Sequence, residues 1–212
     1  MSRIVVVLFG LALCYFPSYV NPLTRLLGVN IGYEGPSTII LWNWLAVGAL
    51  LTFVLLVERR SVSSILIKRP NSKDIETVLF YWGIAMAWSW LAMTLLPVEQ
   101  DPGTASLVAL SIPVLLGMII TTAITEEILF RGYPIERINE MTSTTWIGLA
   151  VSFAVFLVPH LTFFGPGWLL YHGGGTVMIY ALYARRRNLV ACMLLHFLVN
   201  VPILIPASGL FS

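Results

Sequence analysis

Ionisable side chains are rare in this sequence, and several stand where lipid is expected. Residues 124–134 read ITEEILFRGYP and close a long apolar run. They set Glu126 and Glu127 side by side, with Arg131 one helical turn on. Charged groups in hydrocarbon are costly, so such a cluster is a functional suspect by default. On a helix Glu127 and Arg131 are i and i+4 with the glutamate N-terminal, the better order for an ion pair. Glu126 points about 100° away and is free to face other helices. Angle alone therefore makes Glu126 the catalytic candidate and Glu127 with Arg131 the structural pair.

The chain has three histidines, all in its last three apolar segments. FLVPH places Phe156 and His160 on one helical face, and HFLVN does the same for His196 and Asn200. Polar residues at membrane depth face a bundle interior or a wet cavity, so Glu126, Glu127, His160, His196 and Asn200 are expected to converge on one pocket. Each has a plainer reading: a Glu–Arg pair as a topology device, a histidine as a hydrogen-bonded bundle residue, Asn200 as interhelical glue. Their gathering within residues 126–200 at helical spacing favours a site. His172, beside Gly173, Gly174 and Gly175, is assigned to a close-packed surface or cavity wall rather than to that core.

These residues need elements that cross a bilayer, and the composition supplies them. Of 212 residues 58% are hydrophobic and only 10% charged, where a soluble domain carries roughly a quarter. Read with a ruler of about 20 apolar residues per span, the sequence predicts an all-α polytopic bundle of about seven spans, near 4–20, 37–57, 76–97, 105–130, 145–165, 168–184 and 189–207. PVEQDPGT and FGPGW punctuate it with proline and glycine. With the N-terminus inside and the spans alternating, eleven of the twelve Lys and Arg residues fall on the cytoplasmic side, and only Arg25 lies outside. The orientation is therefore N-in, C-out.

The first span reads as a membrane helix rather than a cleaved signal, because Leu13 before Cys14 makes a poor lipoprotein cleavage site and no A-x-A pattern follows. RRSVSSILIKRPNSKD is a basic, topology-setting loop at the headgroups. Cys14 and Cys192 lie far apart in apolar segments, with neither a disulfide framework nor a CxxC signature. A net charge of +2 gives no argument for a nucleic-acid partner. Residues 1–212 form one membrane domain, with peripheral spans in 1–104 and a four-span core in 105–207. Compactness suggests a prokaryotic plasma membrane.

EEILFR, FLVPH and HFLVN fit EExxxR, FxxxH and HxxxN, in that order and on adjacent spans. The sequence in this respect resembles the CPBP family of intramembrane endopeptidases, which includes type II CAAX prenyl proteases and bacteriocin-processing or self-immunity proteins. The resemblance covers about residues 105–205. It implies a helical fold with an intramembrane catalytic cavity and a membrane-associated or lipidated peptide substrate. Glu126 and His160 would activate the attacking water, His196 and Asn200 would form the oxyanion hole, and Glu127 and Arg131 would complete the first motif. It implies no cofactor.

Other readings remain open at this level. Glu126, His160 and His196 are the ligand types of some zinc proteases, but they come from three helices and lack the HExxH pattern. Cys192 and His196 are i and i+4, which allows a thiolate–imidazole pair. A non-catalytic immunity or binding protein would keep the same fold, and a proton-coupled transporter would show internal repeats that are not found. Two tensions concern geometry. Counted from the arginine-rich edge, His160 lies about 22 Å deep and His196 about 10 Å, so the fifth span must start further out or tilt. Pro159, inside FxxxH, is expected to kink or loosen its helix and could turn His160 away.

Overall fold

The computed structural model describes residues 2–29, 35–96 and 101–208; residues 97–100 and the side chain of Arg25 lie outside the described residues. Among the described residues every regular element is helical. The helices are α1 (Arg3–Leu26), α2 (Pro36–Thr52, prolonged by a π-helical turn, Phe53–Val57), α3 (Ser72–Leu95), α4 (Pro102–Val108), α5 (Ile112–Glu126), α6 (Tyr133–Thr142), α7 (Trp146–Phe164), α8 (Trp168–Arg186), α9 (Leu189–Asn200) and α10 (Leu204–Ala207). A second π-helical turn, Glu127–Gly132, joins α5 to α6 in one rod.

Among the described residues six segments are long and apolar enough to cross a membrane: Arg3–Asn21, Pro36–Val57, Ser72–Leu95, Ile112–Thr142, Trp146–Phe164 and Leu189–Ala207. The expected sixth span forms as α8, but its Gly173–Gly175 run and terminal arginines keep it out of that set. The expected fourth span, 105–130, is corrected at both ends. Pro113 in the first turn pre-sets the start of α5 at Ile112, which leaves α4 as a separate short helix capped by Asp101. Past residue 130 the rod runs on to Thr142. The flanks of the bundle are apolar and exposed: Leu79, Phe80, Trp90 and Leu91 of α3 all face outward, as lipid-facing surface must.

The charged ends meet at one end of the bundle. Arg137 of α6 is buried and pairs with Glu58 beyond α2 at 2.6 Å. Glu136 receives Arg187 at 2.6 Å, and Asp74 of α3 receives Arg186 at 2.7 Å. Arg3 and Arg60 share Glu140. The basic loop after α2 is not wholly superficial. Its 3-10 turn, Val62–Ile65, buries Ile65, and Leu66 O accepts from Leu189 N at 3.0 Å, so the loop seats the start of α9. Lys68 and Arg69 stay exposed.

Candidate active site

The first motif lies in the π-helical turn. All six residues of Glu127–Gly132 are buried, and π turns inside α-helices occur often at functional sites. Gly132 permits the packing, since a Cβ there would lie 2.7 Å from Leu189 Cδ2 and 3.2 Å from Ile65 O. Glu127 and Arg131 form a fully buried ion pair. The Arg131 guanidinium lies between two rings, 4.6 Å from the centroid of Phe156 and 4.3 Å from that of Tyr180. Glu126, 16% exposed, points elsewhere, as the helical angle required.

His160 reaches the same place from α7. Pro159 does not break that helix, which runs unbroken from Trp146 to Phe164. The carbonyl that loses its partner to Pro159 is Val155 O, four residues back, and Tyr19 Oη donates to it at 2.7 Å. His160 Nε2 lies 3.9 Å from Glu126 Oε2. Its Nδ1 is 2.8 Å from Phe156 O. A carbonyl oxygen only accepts, so Nδ1 carries the proton and donates, leaving the Nε2 lone pair towards Glu126.

His196 arrives from α9, and the depth discrepancy closes there. Helix α7 spans nearly the expected residues and does not start deeper. Instead α9 is recessed: its first residue, Leu189, packs at the level of Gly132, well inside the rod that ends at Thr142. His196 thus lies at the level of Glu126, with Nε2 4.0 Å from Glu126 Oε2 and Nδ1 2.7 Å from Glu127 Oε1. Against an ion-paired carboxylate Nδ1–H is the donor, which aims Nε2 at Glu126. Asn200 is half-buried at the end of α9, one turn beyond His196 on the same face. Among the described residues its side chain has no hydrogen-bond partner.

The structure therefore brings Glu126, Glu127, Arg131, His160 and His196 into one cluster. Separations of 3.9 and 4.0 Å are too long for direct hydrogen bonds and suit one water shared between each pair. They suit a single zinc poorly. With bonds of about 2.0–2.2 Å, those ligand atoms would have to open far beyond the tetrahedral angle, and no group of three His, Cys, Asp or Glu among the described residues is close enough to hold a metal. Cys192 is fully buried with its Sγ towards Ile179 O, not engaged with His196.

Phe156 lies against His160 at 4.1 Å, its ring tilted by 32°, as well as against Arg131, which gives the Phe of FxxxH two tasks. Trp168, Ser152 and Tyr180 join the site with no signal in the sequence. Trp168 of α8 covers His160 at 4.7 Å. Ser152 donates to Phe130 O and shares a 2.8 Å hydrogen bond with Tyr180 Oη, fixing the ring beneath Arg131. His172 stacks on Trp168 at 6.1 Å and so stands one ring behind His160.

Fold and cluster together define an all-helical, multi-pass membrane protein with a Glu–His–His centre between its helices. Residues 108–202 match the family model of Rce1-like proteins, described as type II CAAX prenyl endopeptidase Rce1-like. The match holds all three motifs and runs from the end of α4 to the turn after α9, bearing out the resemblance they suggested; that family is one of membrane proteases. No curated protein and no solved structure matches the chain.

Proposed function

We propose that the protein is an intramembrane endopeptidase that hydrolyses a membrane-associated or lipidated peptide with a glutamate-activated water. One observation carries this reading: Glu126 Oε2 stands 3.9 Å from His160 Nε2 and 4.0 Å from His196 Nε2. A water held between Glu126 and His160 gives its proton to that pair as its oxygen attacks the scissile carbonyl. The carbonyl π electrons move to oxygen, and the resulting oxyanion accepts from His196 Nε2–H and the Asn200 amide. On collapse the C–N bond breaks, and the leaving amine takes the proton from the Glu126–His160 pair. His196 acts as that donor when both ring nitrogens carry protons, with Nδ1–H held by Glu127 Oε1 at 2.7 Å.

The arginine-rich end faces the cytoplasm in this reading, and the short connections between spans suit a prokaryotic plasma membrane. The test is cleavage of membrane-anchored peptides, prenylated and plain, by the purified wild type and by Glu126→Gln, with and without a chelator. Cleavage that dies with Glu126 and survives chelation supports the proposal. Loss on chelation, restored by zinc, replaces it with metal catalysis.

A further inference from the structure

Two prolines lie in the elements that carry the site: Pro159 precedes His160, and Pro202 lies in the turn that continues α9 beyond Asn200. Proline has no N–H, so the carbonyl four residues before each loses its helical partner. These carbonyls belong to Val155 and Leu198. In hydrocarbon such a group is re-satisfied by a neighbouring helix, a Ser or Thr side chain, ordered water or a local 3-10 or π adjustment.

Both have a replacement donor, and the two donors come from different helices. Tyr19 Oη of α1 donates to Val155 O at 2.7 Å. Trp82 Nε1 of α3 donates to Leu198 O at 3.0 Å. Pro17 in α1, a helix with no site residue, makes the contrast: among the described residues no side chain donates to its freed carbonyl, Leu13 O. The replacement donors thus accompany the helices whose direction aims a reacting group. Leu198 lies two residues from both His196 and Asn200, and Val155 is just over one turn before His160.

We propose that Tyr19 and Trp82 are positioning residues of the hydrolytic site, fixing the helices of His160 and of His196 with Asn200 at their proline breaks. Both stand outside the family match, so the first and third helices take part in aiming a centre whose reacting groups all lie further along the chain. Without these donors a proline break is free to bend or to admit water into the backbone ladder. A small displacement of a reacting group costs rate far more than substrate affinity. The inference rests on the endopeptidase reading above.

The experiment is a double-mutant cycle on peptide cleavage and melting temperature. It compares wild type, Tyr19→Phe, Pro159→Ala and the double variant, with a parallel set for Trp82→Phe and Pro202→Ala. Tyr19→Phe is expected to lower kcat about ten- to a hundredfold with KM within about twofold. Pro159→Ala restores a backbone N–H to Val155 O, so Tyr19→Phe in that background should lower kcat by less than about threefold. A hydroxyl that merely packs would cost the same in both backgrounds. Equal losses overturn the proposal, as does a Tyr19→Phe protein with wild-type kcat. An inactive Pro159→Ala protein overturns it too, since the proline ring would then set the aim. The Trp82 set decides the matter if a Tyr19 variant does not fold. If the wild type cleaves nothing, it is the endopeptidase reading that fails, and coupling of the melting temperatures still decides whether the donors replace the lost N–H groups.

Discussion

Glu127 holds His196 by a 2.7 Å hydrogen bond from Nδ1, and it does so with the same oxygen that pairs with Arg131. The buried ion pair and the Glu126–His160–His196 cluster are therefore one network. Adjacent glutamates divide the work: Glu127 is fully buried and spent on His196 and Arg131, while Glu126 keeps an open face towards both imidazoles.

That division sets opposite outcomes for two similar substitutions. Glu126→Gln should abolish cleavage and leave the melting temperature close to wild type. Glu127→Gln strands a buried arginine and should destabilise the protein by about 3–5 kcal/mol. Thermal melts of both variants in one detergent check this. Equal stability of the two would contradict the buried pair.

Asn200 acts on the oxyanion in the proposed reaction, so its loss should appear in the chemical step. Asn200→Ala is expected to lower kcat by about 10²–10³ with KM little changed. Steady-state cleavage kinetics decide it, and weaker binding alone would remove Asn200 from the oxyanion hole.

Phe156 is 2% exposed and touches both His160 and Arg131. Phe156→Ala should cost about 3–5 kcal/mol and most of the activity. Phe163, two turns further along α7 but 51% exposed on the bundle flank, should tolerate alanine in both assays. Melting and cleavage measured side by side make the comparison.

Gly148 joins α7 to α6 at a close approach, where a Cβ would lie 2.6 Å from Ile135 O and 2.5 Å from Asn139 Oδ1. Its N–H also donates to that same Asn139 oxygen at 3.0 Å. Gly148→Ala must part the two helices, and we expect a loss of about 1–3 kcal/mol with reduced cleavage. A variant that melts with the wild type would show that the helices yield without cost.

Much of this was legible in the sequence because polar residues are rare in it. Against an apolar background Glu126, Glu127, Arg131, His160, His196 and Asn200 stand out, and a period of 3.6 residues pairs them correctly on their faces. The same apolar runs mark α1, α2, α3, α7 and α9 to within a few residues. Helix α8 is weaker, since its glycines and arginines dilute the apolar signal.

The depth of each helix was not legible, because it follows from contacts between segments far apart in the chain. Leu189 settles against Gly132 and Leu66, and this recess brings His196 level with His160. Nor did the π-helical turn have a sequence signature, and the Ser152 that donates to its Phe130 carbonyl comes from another helix. Tyr19, Trp82, Ser152 and Tyr180 are ordinary residues for apolar helices, and only a distant carbonyl or ring gives each its task. Sequence by itself singled out the polar groups of the candidate site and the apolar runs that hold them, because the cost of charge in hydrocarbon leaves few such groups. Tertiary structure alone decided where they point, because the carbonyls freed by Pro159 and Pro202 and the seating depth of α9 are met by other segments of the chain.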